Sequence, residues 1–160
     1  MRRLTLLISA MLALAAFATA SALAASPHFI GTPTLTKTAS GDLVVTGKAA
    51  GLGNTTVSAF LTADSVTQEV VCVNKGGNIA PGQGTSTTSV QGPTQNITPR
   101  NGQITFRVTL QAPALPTAAE AGCPNGNWTV RRLSLTYTNV VLHIVQDGSD
   151  LTFNFGTVDP

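Results

Sequence analysis

Two cysteines, two histidines and seven carboxylates are the side chains of this sequence best suited to covalent, metal or acid–base chemistry, and their spacing decides among those uses. Cys72 sits in the apolar run Val70 to Val73 of "EVVCVNKGGNIAPGQG", and Cys123 opens "CPNGNW", at the expected start of a strand. A thiol among apolar neighbours is held protonated and inert, so nucleophilic work would need a base that neither stretch supplies. Zinc would need four ligands, and the sequence has no CxxC and no paired histidines. In an oxidising compartment two such cysteines pair. A Cys72–Cys123 disulfide would close a loop of roughly fifty residues, worth about 4 kcal/mol by restriction of the unfolded chain.

His28 in "SPHFIG" reads as a first-strand residue, and His143 in "VVLHIV" alternates against Val140, Leu142 and Ile144, which places it on a solvent-facing side of a strand. Neither has a partner in sequence that would make it a general base. The carboxylates Asp42, Asp64, Glu69, Glu120, Asp147, Asp150 and Asp159 fall at loops and strand ends. A glycosidase needs two of them flanking one bond, which only folding could arrange. Asp147 and Asp150 in "QDGSDLTF" read as a polar hairpin turn; they lack the regular oxygen-ligand spacing of a calcium loop. No serine stands in GxSxG. The sequence therefore names no catalytic residue, no cofactor-binding residue and no metal ligand.

The elements that must position these residues are strands. The N-terminus comes first, because "MRRLTLLISAMLALAAFATASALAAS" has the basic start, apolar centre and small-residue pattern at Ala22 and Ala24 of a secretory signal peptide. Residues 1–24 are read as that signal and 25–160 as a single exported domain. The apolar tract breaks at Thr19 and Ser21, short of the about 20 residues a membrane span requires. The chain carries nine basic and seven acidic residues; with Arg2 and Arg3 removed the balance is seven against seven, net zero. Nucleic acid and anionic membrane bind through summed positive charge and are therefore not expected partners.

Thr, Ser, Asn, Gly and Val dominate the mature segment, and helix builders are sparse. "GQITFRVTLQAP" alternates Ile104, Phe106, Val108 and Leu110 against Thr105, Arg107, Thr109 and Gln111, the period of a half-buried strand. "TTVSAFLTAD" aligns Val57, Ala59 and Leu61 but puts Phe60 in the other phase; "DLVVTGKAA" and "DLTFNFGTV" supply further runs, the latter aligning Leu151, Phe153 and Phe155. Asn101-Gly102 and Asp147-Gly148 are tight-turn dipeptides. The segment Trp128 to Val145 slips in phase, so Arg131-Arg132 marks a bulge or edge, and the segment divides near Asn139 into two strands or one bent strand crossing between sheets. "PTAAEAG" has room for one short turn. The count predicts an all-β, immunoglobulin-like two-sheet antiparallel sandwich of roughly seven to nine strands. Trp128 is expected to pack in its core beside the disulfide, with Tyr137 and Trp128 as sugar-stacking rings the alternative. Asn54, Asn96 and Asn127 begin N-x-[ST] triplets that matter only to a glycosylating host.

"PHFI", "AGLG", "CVNKGG" followed by proline, "NGQIT", "CPNG" and "YTNV", in that order, resemble a group of small secreted bacterial proteins of actinomycete-like type. The resemblance implies a secreted, disulfide-bonded domain and implies no activity, so no catalytic residue carries over. The expected function is a non-catalytic binding or cell-surface module whose partner is a cell-envelope or extracellular polymer. The loops Asn74 to Gly84 and Thr85 to Pro99, the latter an edge strand or exposed loop, are where recognition would lie. A self-associating matrix protein and a small hydrolase whose acids converge on folding are the alternatives.

Overall fold

The computed structural model describes residues 26–159; residues 1–24, read from sequence as a signal peptide, and the expected mature start at residue 25 lie outside the described residues. The described residues are all-β, in two antiparallel sheets. Strands β1 (His28–Phe29), β2 (Thr34–Lys37), β3 (Leu43–Ala50) and β8 (Ile104–Leu110) form the short sheet. The long sheet holds β4 (Val57–Val73), β5 (Ile79–Pro81), β6 (Thr85–Gln91), β7 (Gln95–Ile97), β9 (Thr129–Gln146) and β10 (Ser149–Val158). Ten strands arise among the described residues where seven to nine are predicted because one edge of β4 is shared in series by β7, β6 and β5. Its other edge pairs with β9 along nearly its whole length. "TSTTSVQ" in β6 is thus an edge strand, exposed apart from Val90, as its uncharged polar composition anticipates.

Alternation builds the core as read from sequence. Ile104, Phe106, Val108 and Leu110 are all buried, as are Val57, Ala59 and Leu61, and they meet Leu43 and Val45 of β3 and Leu142 and Ile144 of β9. Phe29, Phe153 and Phe155 close one side of the sandwich, Phe29 and Phe153 edge-to-face at 5.9 Å. On the other side Gly92 passes so close to β8 that a Cβ there would lie 2.4 Å from the Thr109 carbonyl, which restricts the position to glycine.

The long segment 129–146 is one strand in one sheet, neither two strands nor a crossover. Its phase slips twice. Leu133 is a bulge residue between Ser134, opposite Glu69, and Arg132, opposite Val70, so the bulge predicted at Arg131-Arg132 falls beside that pair. Leu133 is consequently 63 % exposed instead of sharing a face with buried Leu135 and Tyr137. The second slip is at Asn139, where buried positions change from Leu135 and Tyr137 to Val140, Leu142 and Ile144. β4 slips at the same level, from Ala63 to Val66, so the two strands remain in register on both sides.

That level is a crease running across the sheet. Asn139 on β9 has φ 51°, Ser89 on β6, next to Asp64 of β4, has φ 52°, and Gly156 at the β10 bulge has φ 72°. Left-handed backbone is costly for a residue with a Cβ, and asparagine tolerates it best. Here its amide also donates to Asp64 at 3.0 Å and accepts from Asn154 at 2.8 Å, and Asn154 in turn accepts from the Gly156 N–H. Replacing Asn139 by valine, β-branched and without an amide, should destabilise the domain by about 2 kcal/mol in urea unfolding, with Asn139→Gly costing less.

The two sheets differ greatly in length. At about 3.3 Å per residue, β4 and β9 extend over twice as far as β3, so one half of the long sheet has no strands facing it. The irregular connection between β8 and β9, residues 111–128, covers the first part of that overhang. "PTAAEAG" within it makes the predicted short turn, with Thr117 and Glu120 bonded to each other. Cys123, predicted to start a strand, lies in this connection, and its disulfide to fully buried Cys72 ties the cover to the sheet. Gln68, 1 % exposed, donates to the Ala114 carbonyl and accepts from Arg132, whose other nitrogens donate to the carbonyls of Ser40 and Pro113. Removing the cross-link with Cys72→Ala and Cys123→Ala together should cost about 4 kcal/mol by equilibrium unfolding, since the closed loop of 51 residues restrains the unfolded chain.

Candidate functional site

Folding gives His143 the partners that sequence does not show. His143 stands on the outer face of β9, as its alternation predicts, stacked on Phe60 of β4 with ring centres 4.9 Å apart. Its Nδ1 lies 2.8 Å from Asp150 Oδ2 on β10, and its Nε2 lies 3.0 Å from Thr62 Oγ1 on β4. Hydroxyl, imidazole and carboxylate in that order are the parts of an activated nucleophile. The three strands that carry them are neighbours, but the residues are 62, 143 and 150, a spacing with no sequence signature. Thr62 is laddered on both sides, to Val141 and Gln91, so the adjacent main-chain N–H groups are engaged by strands and not free to hold an oxyanion.

The other acids are held apart, most of them by partners of their own. Asp64 binds Asn139, Glu69 accepts from Ser134 at 3.0 Å, and Asp147 accepts from Thr55 at 2.7 Å in the turn where Asp147-Gly148 has the positive φ angles of a tight hairpin. Asp147 and Asp150 thus serve different partners, and among the described residues no group of three His, Cys, Asp or Glu side chains is placed to hold a metal. His28 is exposed on β1, with Nδ1 2.8 Å from the Ser26 carbonyl. Asp42 accepts the Ala112 N–H and the Ser40 hydroxyl, which hold its carboxyl below the ordinary value, Arg132 adding to the effect.

Tyr137 is fully buried and donates to the Gly41 carbonyl at 2.9 Å, so it is a core residue and not a sugar platform. Burial, with Asp42 adding, pushes its phenol up to about 12. A raised phenol pKa means the neutral form is the one the fold stabilises. That contribution is complete below the ordinary value of 10.0 and is lost as pH rises toward about 12. Ultraviolet titration of this single tyrosine should show it ionising near 12 in the folded chain and near 10.0 once urea unfolds it.

The single tryptophan lies elsewhere than predicted. Trp128 precedes β9 and keeps the inward parity of Val130, which pairs with Cys72, but the cover turns back after Cys123 and leaves the ring half-exposed. It lines an open hollow of about 380 Å³ with Asn74, Lys75 and Gly76 from one turn and Asn125 and Asn127 from another. Both turns are tightly made. Asn74 Oδ1 accepts from the N–H groups of Gly76 and Asn78, each at 2.9 Å, and Asn125 Oδ1 accepts from that of Asn127 at 3.0 Å. Their carbonyls are spent on the backbone, while the NH₂ groups of Asn74, Asn125 and Asn127 have no partner among the described residues. The Asn74 turn belongs to a loop that the sequence marks for recognition; Trp128 and its amides were not readable there, because the end of the cover is a tertiary feature.

Comparison with protein-family models, curated proteins and solved structures finds no match for this chain. No helix among the described residues is long and apolar enough to cross a membrane.

Proposed function

We propose that this chain is an exported, non-catalytic binding module for a cell-envelope or extracellular polymer, and that the Trp128 hollow seats a sugar ring of that polymer. The observation that carries the reading is the half-exposed indole among three amides with free donors. A pyranose has an apolar face of C–H groups and a rim of hydroxyls, which calls for a flat aromatic ring flanked by fixed hydrogen-bond donors. The Asx turns hold Asn74 and Asn125 before any ligand arrives, so little ordering cost falls on binding. Lys75 at the rim adds a positive charge and favours a sugar bearing a carboxylate. The open shape lets a chain run through, as a polymer requires.

An immunoglobulin-like sandwich presenting recognition on its end turns, exported through residues 1–24 and related to the small secreted bacterial proteins it resembles, fits this role. The disulfide is compatible with an oxidising, extracellular setting.

The lone tryptophan makes the test direct. Titration of the oxidised mature chain with soluble fragments of peptidoglycan and of acidic and neutral polysaccharides should change Trp128 emission for one of them. The corresponding insoluble polymer should pull the protein down. Trp128→Ala should weaken that binding at least about tenfold, with the native circular dichroism spectrum kept and no free thiol by titration. Retention on no polymer, together with turnover of a chromogenic ester that is lost in His143→Ala, would replace this reading with a hydrolase using Thr62 as nucleophile.

A further inference from the structure

We infer that the protein forms a two-fold symmetric dimer through the outer face of the overhang, around Leu133. Two of the largest exposed apolar side chains among the described residues lie on this face, on either side of β4: Leu133, 63 % exposed, and Ile79, 60 % exposed. With Val71 and Pro81 they line an open groove of about 510 Å³ that crosses β5, β4 and β9. Leucine at 133 is turned outward by the bulge at the Glu69–Val70 level, so the strand spends a register shift on presenting it to solvent. Large apolar side chains exposed along one groove mark an interaction site.

The charges beside the groove identify the occupant as a second copy. Glu69 lies opposite Ser134 on one side of Leu133, and Arg131 lies opposite Val71 on the other; both are exposed. Neither has an ionic partner among the described residues, where the one pair is His143 with Asp150. An acid and a base on opposite flanks of an apolar centre form a self-complementary surface. A two-fold axis in the plane of the patch, passing through Leu133, brings each copy's Glu69 to the other's Arg131 and Leu133 against Leu133. A partner of one sign would satisfy only one flank. With a mature net charge of zero, no general repulsion opposes the approach of two copies.

The arrangement is independent of what Trp128 binds, since the groove lies on the outward face and Trp128 follows the inward parity. Sedimentation velocity of the oxidised mature chain across a concentration series should show a monomer–dimer equilibrium. Leu133→Asp should leave a monomer with the native circular dichroism spectrum. Glu69→Arg and Arg131→Glu should each weaken dimerisation by about tenfold or more through like charges at both symmetric contacts, and the double variant should recover the parent affinity. A monomer at every concentration would overturn the proposal. So would a dimer unaffected by Leu133→Asp, or a double charge reversal no better than the single ones. If Leu133→Asp fails to fold, the charge-reversal cycle, made at exposed positions, decides alone.

Discussion

The molecule is governed by a mismatch in length: two strands of 17 and 18 residues run side by side, and the strand facing them, β3, has eight. An inner sheet face that includes Val70 and Cys72 cannot be left in water without losing the burial that makes the sheet stable. The chain covers it with a connection that has no strand partners of its own and takes its hydrogen bonds from its own turns, from the Gln83 N–H and from side chains. This explains why an arginine and a glutamine, poor choices for an interior, occupy the inner face. Gln68 and Arg132 bond the carbonyls of Ser40, Pro113 and Ala114, and Asp42 takes the Ala112 N–H. No buried side-chain nitrogen or oxygen among the described residues is left without a partner. The disulfide belongs to the same scheme, since it joins sheet to cover and not one sheet to the other.

Strands this long also need relief from twist, and the crease at Asn139 supplies it. A phase slip in one strand alone would turn its apolar set to the wrong face. β4 and β9 slip together, so each half keeps its own inward set while the strand pairing continues. The left-handed residues on the flanking strands, Ser89 and Gly156, show that the bend is shared by the sheet as a whole.

Local pattern made much of this legible. The strand at Ile104 to Leu110, the hairpin at Asp147-Gly148, the disulfide and the sandwich class all follow from side-chain period, turn chemistry and cysteine count. The sequence even shows that the Trp128 to Val145 segment loses phase and that Asn139 is where it changes. What it does not show is that a lost phase need not end a strand: a matched slip in the neighbour carries the pairing through, and the neighbour is 75 positions away at Asp64. Trp128 is misplaced for a related reason. It keeps the parity of a core residue, yet the end of the cover, which lies outside its own strand segment, leaves it only partly buried. The Thr62, His143 and Asp150 network was hidden in the same way, since its members meet only across three strands.

The exposed features of the overhang therefore have a common origin. A sandwich with sheets of equal length would have buried Trp128 under facing strands and would have had no stretch of β9 beyond its core on which to bulge Leu133 outward. Lengthening one sheet past the other creates an inner surface that a loop can cover only in part and an outer surface backed by a loop instead of a sheet. The disulfide and the Gln68–Arg132 bonds make that extension rigid enough to hold an indole and its amides in place. In the dimer, the same extension would carry two such hollows on one particle, and a repeating polymer rewards two linked weak sites far more than one. The length mismatch is then the means by which a small domain would gain surfaces for both the recognition and the assembly proposed for it.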